Sequence, residues 1–293
     1  MARFGTVCQK WGLMSIKSKV IGGVLTAGVV GGLGTGLVWK GKRKLEAQAA
    51  VARMLIGQPH GAPPDADRTY KKGHGDRLDL VLLGDSIAAG LGADHPSDTL
   101  GARLAKGLAK QSGRAVRLRT AARVGAETSM LAEQLESLPP SYRPDVAVVV
   151  VGGNDVTHRI PVTDSVSQLS AAVVALQERG AAVVVGTCPD LGALRPVPQP
   201  LRALGSRASR QLAAAQRDAV IKLGAHAVEL HAVVGPFFIT NPDEMFSLDR
   251  FHPSSMGYRR TAKAILPSLL VALGIRKRVP FGHHLPTAQI PVG

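Results

Sequence analysis

Cysteine is nearly missing from this 293-residue chain, and aromatic and acidic side chains are scarce. The two cysteines, Cys8 and Cys188, lie on either side of an apolar stretch and are too few for a disulfide framework. Cys188 closes an apolar run and reads as a small buried residue. No His/Cys spacing marks a metal site, and His283-His284 has no obvious third ligand, so neither a metal nor an organic cofactor is expected. Aromatics make up only 4% of the chain. The core must therefore be built from Ala, Val and Leu, and no aromatic platform for sugars is visible. Acids number 21 against 36 Lys and Arg, a net charge of +15 that invites a nucleic-acid reading. The distribution argues against it. Residues 1–53 hold nine cations against the single acid Glu46, a net +8 that flanks an apolar segment. Basic residues in that setting commonly mark membrane topology. The rest of the excess is spread out, apart from Arg276-Lys277-Arg278, and no helix carries a basic stripe interleaved with aromatics. A nucleic-acid partner is not expected.

Residues 20–39 carry no charge over twenty positions, enough to span a bilayer as a helix. Gly28, Gly32 and Gly36 recur at four-residue spacing, which would let helices approach closely if the segment spans. Ala47-Gln48-Ala49 resembles a signal-peptide cleavage site. Lys40, Lys42, Arg43 and Lys44 intervene, however, and favour an uncleaved anchor. The expected organisation is a basic N-terminal segment (1–19), a transmembrane helix (20–39), a basic stretch and Pro/Gly linker (40–76), a catalytic domain (77–274) and a tail (275–293).

Within the domain, short apolar runs alternate with helical patterns. Strands are expected at 78–83, 115–120, 145–151, 182–187 and 227–230, and helices at 99–111, 128–138, 162–179, 202–223 and 255–273. Fully apolar strands alternating with helices predict an α/β three-layer sandwich, a five-stranded parallel sheet covered on both faces. Ligands of such sheets bind at the carboxyl ends of the strands. Ser86, Gly125 and Asn154 each follow a strand, and the loop holding Asp249 and His252 follows the last one, so they can converge there. A serine hydroxyl needs a base to take its proton. His252 can be that base, and Asp249, three residues earlier, can fix its tautomer and stabilise the imidazolium.

Four blocks carry a resemblance: Gly84-Asp85-Ser86-Ile87, the segment around Gly125, Gly152-Gly153-Asn154-Asp155, and Asp249-Arg250-Phe251-His252-Pro253. Taken together and in this order they resemble the SGNH/GDSL hydrolases, over roughly residues 78–273. The family often has an asparagine ahead of the second block's glycine, where this chain has Ala122-Arg123. The resemblance implies a flavodoxin-like sandwich and a serine esterase or lipase. Its catalytic residues would be Ser86, Asp249 and His252, with an oxyanion hole made by the backbone N–H groups of Ser86 and Gly125 and the Asn154 amide. The substrate would be an ester of a small molecule, a lipid or an acylated glycan.

Asp85 and Asp155 read as residues that shape their turns, and Ser254 or Ser255 as a helix cap. The loops at 190–200 and 235–245 are candidates for an acyl or leaving-group pocket. The same residues would serve an acyltransferase or deacetylase acting on an envelope glycan or lipid, or would persist in a non-catalytic binding module. Flanking charges lean slightly towards a cytoplasmic domain. The habit of membrane-linked relatives points instead to an extracytoplasmic one, and that side is the expectation.

Overall fold

The computed structural model describes residues 31–55 and 61–287, without the side chains of 31–38 and Arg53. The chain opens with helix α1 (Gly31–Leu55), followed by strands β1 (Thr69–Tyr70) and β2 (Gly75–Gly84) and helices α2 (Ser86–Ala89) and α3 (Leu100–Ser112). Next come β3 (Arg114–Thr120), α4 (Leu131–Glu136), β4 (Val146–Val150), α5 (Gly153–His158), α6 (Val162–Glu178) and β5 (Ala182–Gly186). The chain continues through α7 (Leu201–Lys222), β6 (His226–Val228), three short helices, α8 (Leu230–Val233), α9 (Gly235–Thr240) and α10 (Pro242–Met245), then α11 (Ser255–Ala272) and β7 (His283–His284).

The central strands are runs of Leu and Val because both of their faces are covered. Alternate residues separate cleanly, as the pleat requires. Leu78, Leu80, Leu82, Val146, Val148, Val150, Val184 and Val228 pack with residues of α3 and α11. Val81, Leu83, Ala147, Val149, Val183, Val185 and Ala227 pack with residues of α4, α6 and α7. Each fully buried Leu or Val contributes about 1.5–3 kcal/mol, so an aromatic-poor core suffices. The inner strands β3-β2-β4-β5-β6 are parallel. This is the flavodoxin-like order, which reverses direction between β2 and β4 and leaves a crevice at their carboxyl ends.

The expected five-stranded, wholly parallel sheet needs correction: it has seven strands and is mixed. Thr69-Tyr70, expected in a linker, pair antiparallel with β3, and His283-His284, expected in a tail, pair antiparallel with β6. Both additions cover edges that would otherwise expose unpaired backbone. They are anchored by side chains: the Tyr70 hydroxyl donates to Ala66 O at 2.8 Å, and Ser268 Oγ lies 2.7 Å from His283 Nδ1. Residues 235–245, expected as an apolar loop, form α9 and α10 instead, each opened by a proline at its first turn.

Of the expected membrane span, residues 20–30 lie outside the described residues. Residues 31–39 begin α1, which runs on through the cations at 40–44. Among the described residues no helix is long and apolar enough to cross a membrane. Helix α1 meets the start of α7 through Gln48, whose amide bonds Gln199 O and the Leu201 N–H.

Candidate active site

Strand β2 delivers Ser86 at the crevice. Gly84 ends the strand at φ +130°, and a Cβ there would fall 1.9 Å from Val150 O, so only glycine lets β2 and β4 approach this closely. The Asp85 N–H then donates to Val150 O at 3.0 Å, and Asp85 Oδ1 caps α2 by accepting the Ile87 N–H at 2.9 Å. Ser86 is thus the first residue of a short helix. Its hydroxyl donates towards His252 Nε2, 3.0 Å away.

His252 sits in a loop closed on itself. Phe246 and Pro253 form a β-bridge, the Ser247 N–H donates to His252 O at 2.8 Å, and Ser254 Oγ caps α11 by accepting the Met256 and Gly257 N–H groups. Gly92 packs against this loop: a Cβ at that position would lie 2.7 Å from Pro253 O and 3.0 Å from His252 Cβ. Asp249 Oδ2 is 2.6 Å from His252 Nδ1. Its other oxygen accepts the Ser247 hydroxyl at 2.7 Å and the Phe251 and His252 N–H groups at 2.9 Å each. Burial alone would raise the Asp249 carboxyl. The hydrogen bond and charge of His252, its backbone N–H and the Ser247 hydroxyl outweigh that and hold it at about 2. Asp249 is therefore an ionised acceptor. It fixes the proton on Nδ1 and leaves the Nε2 lone pair facing Ser86.

Asn154 and Gly125 lie on neighbouring loops that are tied together. Asn154, in the first turn of α5, donates from Nδ2 to Ala126 O at 2.9 Å, the residue after Gly125. The second N–H of that amide has no protein acceptor, nor do the Ser86 and Gly125 backbone N–H groups, among the described residues. Gly125 takes φ +78°, a left-handed turn. Buried Asp155 fixes this pair of loops from beneath: it accepts the Thr128 N–H at 3.1 Å and the Ser165 hydroxyl. Asp85 and Asp155 thus shape the turns, as read from the sequence. Burial pushes Asp85 up to about 7, the Ile87 N–H opposes this, and the charge of Asp155 adds to it.

Some side chains here escape sequence reasoning. Gln134 bonds both backbone groups of Gly84, and Gln216 joins Cys188 N–H to Val151 O. Ser247 supplies a ligand to Asp249. None of the three has a local pattern that announces it. His158, expected to have no catalytic part, pairs with Glu127 at 2.5 Å beside the Gly125 loop. Of the expected pocket loops, 235–245 places Phe238 and Met245 in the core, with Phe238 edge-on to Phe246 at 4.9 Å between centroids. Burial pushes the Cys188 thiol well up, leaving it an inert core residue. Among the described residues no group of three His, Cys, Asp or Glu side chains is placed to hold a metal ion.

Sheet order and strand-end serine together define the class, an α/β hydrolase of the flavodoxin-like kind. The chain belongs to the GDSL-like lipase/acylhydrolase family, whose profile matches residues 82–260. It is 38% identical over 277 residues to a GDSL-like esterase of Mycobacterium tuberculosis, a match spanning 89% of this chain and 86% of the relative. Among solved structures, the psychrotrophic esterase EstA of Pseudoalteromonas sp. superposes with a TM-score of 0.53 at 19% identity, covering 67% of this chain and 98% of the other. An acetylxylan esterase of Geobacillus stearothermophilus does so with a TM-score of 0.53 at 18% identity, covering 70% and 99%. These two establish the fold. The family match and the mycobacterial relative make the protein an enzyme of the esterase/lipase type.

Proposed function

We propose that the protein is a membrane-anchored esterase that cleaves carboxylic esters through an acyl-enzyme on Ser86. The observation that carries this reading is the unbroken relay from Ser86 Oγ through His252 to Asp249, at 3.0 and 2.6 Å. Ser86 Oγ attacks the ester carbonyl while His252 Nε2 takes its proton, and Asp249 stabilises the imidazolium that results. The oxyanion is received by the Ser86 and Gly125 N–H groups and the free N–H of Asn154, each such donor worth about 3–4 kcal/mol of barrier. His252 returns the proton to the leaving alcohol, and water, activated by the same imidazole, releases the acid.

A fluorophosphonate probe tests the chemistry. Labelling should occur at Ser86 and vanish in Ser86→Ala together with hydrolysis of p-nitrophenyl esters. Turnover retained in that variant would sink the assignment. An added alcohol that diverts product into a new ester would favour the acyltransferase variant of the same site.

The anchor rests on the uncharged residues 20–39 between basic flanks. Alkaline carbonate should leave the full chain in the membrane pellet, and release into the supernatant would rule out a spanning anchor. By this reading the domain lies on the outer side, and protease added to sealed spheroplasts should cleave it.

A further inference from the structure

Helices α3 and α11 flank a cleft of about 300 Å³, lined by Asp98, Arg103, Lys106, Arg259, Lys263 and Leu266, with Ser97 and Ala262. Four cations and one carboxylate face the same space. The carboxylate is already engaged, since Asp98 Oδ1 pairs with Arg103 at 2.9 Å and Asp98 Oδ2 lies 3.3 Å from Ser255 Oγ. The Lys106 ammonium donates to Ser97 O at 3.1 Å, and no carboxylate pairs with it among the described residues. Arg259 and Lys263 are one helical turn apart, both exposed, and neither is in an ion pair among the described residues. Like charges at that spacing on a helix repel each other, and here they face two more cations across the cleft. The Lys106 ammonium is lowered by partial burial, by Arg68 and by Arg103, with Asp98 opposing.

The helices are held close by packing at Leu266, on the wall of the cleft. A Cβ on Gly107 would lie 2.8 Å from Leu266 Cδ2, so the glycine lets α11 press against α3 there. The cations are therefore converged by the fold rather than by attraction among themselves. Planar guanidinium forks and a compact ammonium around one cavity suit a ligand with several anionic oxygens.

We infer that the α3–α11 cleft is a binding site for a phosphate group, with Arg259, Lys263 and Lys106 as its donors and Arg103, braced by Asp98, at its wall. The phosphate can belong to a phospholipid headgroup or to a soluble phosphate. Asp98 of the cleft is linked through the Ser255 hydroxyl to Asp94, two residues after Gly92, where an added Cβ would lie 3.0 Å from His252 Cβ.

Calorimetric titration of the full-length protein with inorganic phosphate and with monomeric dihexanoyl phosphatidylglycerol tests this. One saturable site is expected, together with a phosphate-induced rise in Tm, because a ligand held only by the folded state stabilises it. The double variant Arg259→Gln/Lys263→Gln should weaken binding at least tenfold and lose the rise in Tm. A control, Arg276→Gln/Lys277→Gln, removes the same charge elsewhere and should do neither. Tighter binding of the lipid than of phosphate identifies a headgroup, and the reverse a soluble phosphate. Absence of saturable binding by either probe, or equal loss in both variants, would overturn the assignment. Because p-nitrophenyl ester hydrolysis is read in parallel, a failure of this site is distinguishable from a failure of the hydrolase reading.

Discussion

Gln134 grips Gly84 by both of its backbone groups: its Nε2 donates to Gly84 O at 2.9 Å and its Oε1 accepts the Gly84 N–H at 2.8 Å. The side-chain amide stands in for the peptide of a neighbouring strand just where β2 ends and the Ser86 turn begins. Gln216 does the same one crevice wall away, accepting the Cys188 N–H at 2.7 Å and donating to Val151 O at 3.1 Å. The strand ends that deliver Ser86 and Asn154 are thus held by two fully buried glutamines.

Replacing Gln134 with Leu keeps the volume roughly but orphans the buried Gly84 N–H, at a cost of about 1–3 kcal/mol, while Gly84 O keeps the Arg123 N–H at 3.1 Å. Urea unfolding should show a loss of that order, with kcat falling more than KM rises because Ser86 loses its fixed position. A variant within about 0.5 kcal/mol of the parent would mean that water replaces the amide and that the grip is dispensable.

How much of this could be read from the chain depends on whether a feature is written locally. The runs at 78–83 and 145–151 announce themselves because both sheet faces are buried, so every residue is apolar. Thr69-Tyr70 and His283-His284 do not, since two residues cannot display a period of two. Residues 235–245 read as loop because Gly235, Pro236 and Pro242 look like breakers, yet each proline occupies a first-turn helical position where its missing N–H costs nothing. Ser86, His252 and Asp249 were legible as a serine after a strand and an Asp/His pair at spacing three. Gln134 and Ser247 act on backbone or carboxylate partners that only the folded chain brings near, one of them fifty positions away in sequence.

Asp85 makes stability depend on pH in an unusual direction for a carboxyl. Burial, opposed by the Ile87 N–H and reinforced by Asp155, lifts it from 3.8 to about 7. Between those values the folded state holds a proton that the unfolded chain has lost, so stability falls as pH rises through that window and levels off above it. Asp85→Asn keeps an oxygen for the Ile87 N–H and removes the titration. Its Tm should exceed that of the parent at pH 8, by an amount on the order of a few kcal/mol in stability, and match it near pH 4. Parallel curves for the two proteins across this range would show that Asp85 does not carry the dependence.

Asp249 works with the opposite sign. Its carboxyl is lowered from 3.8 to about 2, burial being outweighed by His252 and Ser247. The stability it contributes, about 2 kcal/mol, is present above its unfolded pKa and is lost as pH falls towards 2. Asp249→Asn removes the ionised acceptor that fixes the Nδ1 proton, and kcat should drop by as much as about 10⁴-fold. Ser247→Ala is the subtler probe, since it deletes one of three donors to Oδ1 and leaves the His252 contact in place. With less support the Asp249 carboxyl should titrate at higher pH, so acid unfolding should begin earlier while kcat at neutral pH falls only several-fold. Acid-unfolding curves and kcat measured side by side check this. An unmoved acid transition with a large loss of kcat would mean that Ser247 meets the substrate rather than bracing Asp249.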